Sequence, residues 1–142
     1  MAIHTATLNF QAKGDADMVD VTREVAQVVD DSELDAGMVT VFCPGSTCGV
    51  TTIEFEPGAL SDFERLFDDI ADPTRPYAHN ARWGDGNGHS HVRAALLGPS
   101  LTVPFVDGAL LLGTWQQIIF VDFDNRPRAR RVIVQVMGEV LD

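Results

Sequence analysis

Glycine occupies positions 84, 86 and 88 of this chain, inside the run Y-A-H-N-A-R-W-G-D-G-N-G-H-S-H-V-R at 77–93. No ordinary helix or strand tolerates glycine at every second position, so the backbone must turn there, with freedom to take positive φ and to approach a ligand closely. Three of the four histidines, His79, His89 and His91, lie around that turn. Neutral imidazoles are the commonest protein ligands for zinc and related metals, which makes the stretch a candidate divalent-metal site. In His89-Ser90-His91 the spacing works only in one conformation. Residues i and i+2 of an extended segment point to the same side and can share an ion, whereas on a helix they lie about 200° apart. The preceding glycines favour the extended case, with His79 arriving across the turn as third ligand and one coordination position left open. Asp85 and Glu54 are candidate general bases or partners that orient an imidazole. The alternative is an ordered loop whose histidines bond backbone carbonyls.

The remainder reads as one α+β domain over residues 1–142, a mostly antiparallel sheet with two main helices packed on it. Residues 3–10 alternate as a strand, with His4 a structural residue within it. Met18, Val21, Val25, Val28 and Val29 have one-sided helical spacing over 18–31, and Asp15 or Asp17 is available as N-cap. Gly37 leads into a strand through Cys43, and a second strand runs from Val50 to Glu56. Glu54 sits within it, where it faces either water or a partner such as an arginine or a metal. Ser61-Asp62-Phe63-Glu64 has the form of a capping box ahead of the stripe Phe63, Leu66, Phe67 and Ile70, and that helix must end before Pro73. A short helix over 92–97 is stopped by Gly98-Pro99. Strands at 100–106, 109–123 and 129–140, punctuated by Asp107-Gly108 and by residues 124–127, read as an antiparallel meander.

Polar groups at Ser100, Thr114 and Gln116, with Arg93 the nearest cation, suggest a pocket for a phosphate or carboxylate; the alternative is a bulge at Gly113 with Trp115 in the core. Several motifs are excluded. Counted from Asp85, the glycine and glutamate that a calcium loop needs are Ser90 and Leu96, and the glycine spacing fits no dinucleotide fingerprint. The sole lysine, Lys13, lies in no phosphate loop. Cys43 and Cys48 are too few for a secreted disulfide framework and read as a buried thiol and a loop thiol, with nucleophilic chemistry at Cys48 lacking an adjacent base. Ten basic against 21 acidic residues leave a net charge of −11, which opposes nucleic acid and anionic membranes and favours a small-molecule partner. The opening carries no signal-peptide pattern and no apolar run spans a bilayer, so a cytoplasmic location is the expectation.

H-N-x-x-x-G-D-G-N-G-H-S-H-x-R-A-x-L-L-G-P-S-L-T-V-P at 79–104, G-x-L-x-L-G-T-W-Q-Q-I at 108–118, G-S-T-x-G-V-T-x-x-E at 45–54 and R-R-V-x-V-x-V-x-G-E at 130–139 resemble the YjbQ-like family, often called secondary thiamine-phosphate synthases. The resemblance extends over nearly the full chain. It implies an α+β fold assembled as a homotrimer, with histidines near a subunit interface forming a metal site. His79 and His91 match positions where members generally hold histidine, His89 matches only the G-H-S-H branch, and Glu54 matches a recurring glutamate. Gly45 stands where other branches carry histidine. The implied reaction joins a pyrimidine diphosphate to a thiazole phosphate with loss of pyrophosphate, using zinc, or magnesium with the diphosphate. A metal-dependent hydrolase of a small phosphorylated or amide substrate and a non-catalytic ligand-binding trimer are the alternatives.

Overall fold

In the computed structural model, which describes Met1–Asp142, the chain folds in the order β1 (Ala2–Ala12), β2 (Asp17–Asp20), α1 (Thr22–Ser32), β3 (Ala36–Phe42), β4 (Cys48–Ile53), α2 (Pro57–Ile70), α3 (Ala78–Trp83), α4 (Gly88–Leu97), β5 (Ser100–Val106), β6 (Ala109–Leu110), β7 (Gln117–Asp122) and β8 (Arg128–Glu139). The strands form two antiparallel sheets, ordered β1-β8-β3-β5-β6 and β2-β7-β4. This is the α+β architecture read from the sequence, with four helices.

Strand alternation explains the layers. Val39 and Val41 of β3, Val103 and Phe105 of β5, and Val132, Val134 and Val136 of β8 point to one side of the larger sheet, where they meet Val25, Val28 and Val29 of α1. Ile118 and Phe120 of β7 enter the same cluster. The residues between them, Ile119 and Val121, face the other way and pack with Phe67 of α2 and Ala94 of α4. β7 is thus buried on both faces, the reason its sequence reads as an unbroken apolar run.

Five local expectations are corrected. The first helix begins at Thr22, because Gly14, Asp15 and Ala16 all take positive φ and Asp17–Asp20 pairs with β7; the Asp20 carboxylate, rather than Asp15 or Asp17, accepts the Thr22 amide at 2.9 Å. α2 begins four residues before the supposed capping box. Pro57 supplies a preset φ at its start, and the Glu56 carboxylate accepts from the amides of Gly58 and Ala59 at 2.8 and 2.7 Å. β4 accordingly ends at Ile53, which takes Glu54 out of the ladder. The C-terminal strands are not a meander: β5 and β6 form a hairpin in the larger sheet, β7 crosses to the smaller one and β8 returns between β1 and β3. Trp115, in the connection that makes the crossing, is 72% exposed rather than in the core. No helix is long and apolar enough to cross a membrane.

Candidate functional site

Two short helices carry the histidines. α3 ends on Gly84 at φ 73°, the chain turns again at Gly86 at φ 71°, and α4 starts at Gly88. Only glycine fits that start, since a Cβ there would stand 2.5 Å from the Tyr77 Cβ. The Gly88 amide donates to the Asn80 side-chain oxygen at 2.8 Å, fastening α4 to α3, and Asn125 donates to the Asp85 carbonyl at 2.8 Å.

His89-Ser90-His91 therefore lies on a helix, and the extended H-x-H chelate expected from the glycines does not form. The two rings diverge by roughly 200°. His91 turns toward His79, with ring centroids 4.4 Å apart, and both face a cleft of about 420 Å³. His89 turns inward, 94% buried, beside the Tyr77 ring. Burial, followed by the nearby Arg93 charge, holds its imidazole below the ordinary value of 6.5.

That depression carries a sign. The folded chain takes a proton at His89 less readily than the unfolded chain, so this contribution to stability is full above the unfolded value of 6.5 and declines as pH falls through it. Denaturant midpoints should fall between roughly pH 7 and pH 5.5, and His89→Gln should flatten that slope. A slope unchanged in the variant would rule His89 out as its source.

The cleft is lined by Thr47, His79, Trp83, Asp85, Asn87, His91, Asp124, Arg128 and Arg130, together with Gly45 and Ser46. The Asp85 carboxylate lies 3.5 Å from Nδ1 of His79, yet that nitrogen is buried and has no hydrogen-bond partner. Behind the far wall, Asp122 is completely buried and receives two bonds from Arg130, at 2.6 and 2.8 Å. Arg130 also donates to the Thr47 hydroxyl at 2.8 Å, and Thr47 donates to Asp124 at 3.0 Å. Arg128 donates through Nε to Asp124 at 2.5 Å while a third of its side chain stays exposed. Burial pushes the Asp124 carboxyl up, but bonds from the Asn125 amide, Asn87, Thr47 and Arg128 outweigh it and hold it below the usual 3.8.

The other expected residues do not join this cleft. Glu54 and Thr114 line a separate surface depression beside Trp115, so Glu54 is not placed to act on His79 or His91 within one chain. Ser100 and Gln116 border a third, between β4 and β5, where Gln116 donates to Thr52 at 3.1 Å. Arg93 is 96% buried and donates to the Ala71 carbonyl and to Asp68, so it ties α4 to α2 and is not free to take an anion beside them. The anion pocket proposed for Arg93, Ser100, Thr114 and Gln116 is thus dispersed. Thr47, Asp124, Arg128 and Arg130 of the cleft, with Asp122 behind Arg130, were missed. One signal for them was available. Arg128 and Arg130 share the period-two register of Val132, Val134 and Val136, and arginine on an inward face demands a buried acid.

For a metal, the fit is partial. Two adjacent imidazoles, one with an unpartnered nitrogen and a carboxylate alongside, form a suitable donor set, but no three His, Cys, Asp or Glu side chains of the single chain converge on one point.

A family model described as UPF0047 protein YjbQ-like matches residues 6–139. A UPF0047 protein of Methanothermobacter thermautotrophicus is 37% identical over 139 residues, covering 98% of this chain and 95% of that protein. The UPF0047 protein YugU of Bacillus subtilis is 34% identical, covering 93% and 98% respectively. Among solved structures, a YbjQ-like protein of unknown function from Sulfolobus solfataricus superposes with a TM-score of 0.88 at 28% identity, covering 97% of this chain and 100% of that one. A YjbQ/UPF0047 protein from Clostridium acetobutylicum superposes with a TM-score of 0.85 at 33% identity, covering 93% and 99%.

Proposed function

Since this chain belongs to the YjbQ-like UPF0047 family, we propose that it is a metal-dependent enzyme for a small phosphorylated substrate, working in the cleft between His79, His91 and Arg128. The observation that carries the reading is the buried, unpartnered Nδ1 of His79, whose ring lies 4.4 Å from the His91 ring at a tilt of 44°, in a cleft that also presents an arginine. A buried polar atom without a partner is destabilising unless something fills its bonding capacity.

His79 and His91 would hold the cation, and Asp85 would orient the His79 ring or move a proton at the open side of the cleft. When bound, the cation supplies charge neutralisation at phosphate oxygens. Arg128, anchored through Nε to Asp124, keeps its two terminal nitrogens for a phosphate group. Asp124, held ionised by its four donors, fixes that guanidinium. Condensation of a pyrimidine diphosphate with a thiazole phosphate is the first reaction to assay, and hydrolysis of small phosphate esters or amides the second. Arg128→Ala should raise KM for a phosphorylated substrate about 10- to 100-fold, the worth of a charged hydrogen bond, with smaller effect on an uncharged one. Equal effects on both, or no turnover in either assay with zinc or magnesium, would count against the reading.

A non-catalytic ligand-binding trimer is the second reading, favoured by the lack of three convergent metal-binding side chains in one chain. Either version is proposed to assemble as a homotrimer. Ile3, Met38, Phe42 and Val106, on the face of the larger sheet opposite the core, are each at least 40% exposed. Light scattering should return about three times the 15.5 kDa chain mass, and Met38→Asp should lower it. A wild-type mass of one chain would reject the assembly.

A further inference from the structure

We propose that Cys43 and Cys48 form a redox-active dithiol that exchanges with low-molecular-weight disulfides and, once oxidised, closes residues 43–48 into a covalent ring. This lies beyond the metal reading and does not rest on it.

Cys43 follows β3 directly and Cys48 opens β4, so the two sulfurs bracket one tight loop. Both thiols are free, both are buried, and both belong to the same apolar cluster. The loop folds back on itself: the Gly45 amide donates to the Cys43 carbonyl at 3.0 Å, and a Cβ at Gly45 would stand 2.7 Å from the Cys48 sulfur. Glycine is therefore the residue that lets the chain cross over that sulfur.

The pair is asymmetric. Hydrogen bonding between the thiols, then burial, pushes Cys43 far up, whereas the bond from Cys43 and the Arg130 charge bring Cys48 down against its own burial. Cys48 is the sulfur that ionises first, and the thiolate is the nucleophile. It also has an approach. Cys48 lines a pocket of about 260 Å³ whose other walls include Asn9, Arg130 and Arg131. Arg131 on that wall suits a disulfide that carries carboxylates, in a protein whose net charge of −11 otherwise repels one, whereas the Arg130 guanidinium is already taken up by Asp122 and Thr47.

The exchange balances with glutathione disulfide as co-substrate. The Cys48 thiolate attacks one of its sulfurs, the disulfide bond breaks, and one glutathione thiolate leaves and takes a proton. Cys43 then gives its proton to solvent and attacks the Cys48 sulfur, which expels the second glutathione. Two protein thiols are oxidised and one glutathione disulfide is reduced to two thiols. Thr47, inside the ring, bonds both Asp124 and Arg130, so closing the ring acts on one wall of the histidine cleft.

The test uses the full reduced chain under native conditions, incubated with glutathione disulfide, quenched in acid, alkylated and weighed by mass spectrometry. The expected result is that both thiols are lost together, with each chain lighter by two hydrogens and no crosslink between chains. Cys43→Ala should stop at one glutathione on Cys48, and Cys48→Ala should leave Cys43 unmodified. Retention of both thiols, disulfides between chains, or a stable glutathione adduct on wild-type protein would each overturn the proposal. The wild-type result decides the matter even where a variant fails to fold.

Discussion

His91→Ala is expected to remove the bound cation, lowering the metal content of purified protein from about one ion per chain to near none. His79→Ala should do the same, because the two rings lie 4.4 Å apart and neither alone forms a chelate. Loss of a residue that merely supports a metal ligand costs affinity about 10- to 100-fold, so loss of a ligand itself should exceed that range. His89→Ala supplies the internal control. The same three-residue motif contains it, yet the helix turns it toward Tyr77, and its removal should leave the metal stoichiometry unchanged. Elemental analysis after chelator washing and reconstitution with zinc, or with magnesium, reads all three variants. Loss of metal with His89→Ala but retention with His91→Ala would contradict the helical geometry. An absence of metal from reconstituted wild-type protein would transfer the cleft to the ligand-binding reading.

Arg130→Ala should be the most damaging single substitution for stability. It strands Asp122, which is 0% exposed and takes two hydrogen bonds from that guanidinium. Those bonds hold Arg130 above its ordinary value, the direction expected for a cation stabilised by its partner against its own desolvation. Removing one member of a buried ion pair costs about 3–5 kcal/mol, because the remaining charge has neither water nor partner. For a domain of this size that corresponds to a fall in Tm of roughly 10 °C or more. The double variant Asp122→Val/Arg130→Met should recover much of the loss, since replacing the whole pair by apolar groups leaves nothing charged in the core. A loss below about 1 kcal/mol for Arg130→Ala would mean that the pair behaves as a surface ion pair.

What could be read from the sequence differs between fold and site for a physical reason. Alternation is a local property, and it located most strands within two or three residues: Val39 and Val41, Val103 and Phe105, Val132 to Val136 each announce which face is buried. Helical spacing likewise marked the buried stripe of α1, but of the stripe expected in α2 only Phe67 is buried, Phe63 is partly so, and Leu66 and Ile70 are exposed. Capping was less legible, because Ser61 offers the right pattern at 61–64 while Pro57 and the Glu56 carboxylate offer a better start four residues earlier. Nothing within 61–64 reveals that competition.

The glycine turn at 84–88 and its histidines marked a candidate site from residue chemistry alone, and His79, Asp85 and His91 do line one cleft. Whether His89 joins them depended on where α4 begins. That start is set by Gly88 fitting against Tyr77 and by the Asn80 side chain receiving its amide, contacts spanning 8 to 11 residues. The acid and arginines opposite, Asp124, Arg128 and Arg130, join the cleft because the end of β7 and the start of β8 lie beside the loop that carries Thr47, with Asp122 buried behind them. The sequence by itself determined the periods, the turns and the residue types available for chemistry. The tertiary structure alone decided which of them meet, because burial and charge pairing are properties of neighbours in space, and those neighbours come from distant segments, as with Thr47 and Arg130, 83 positions apart.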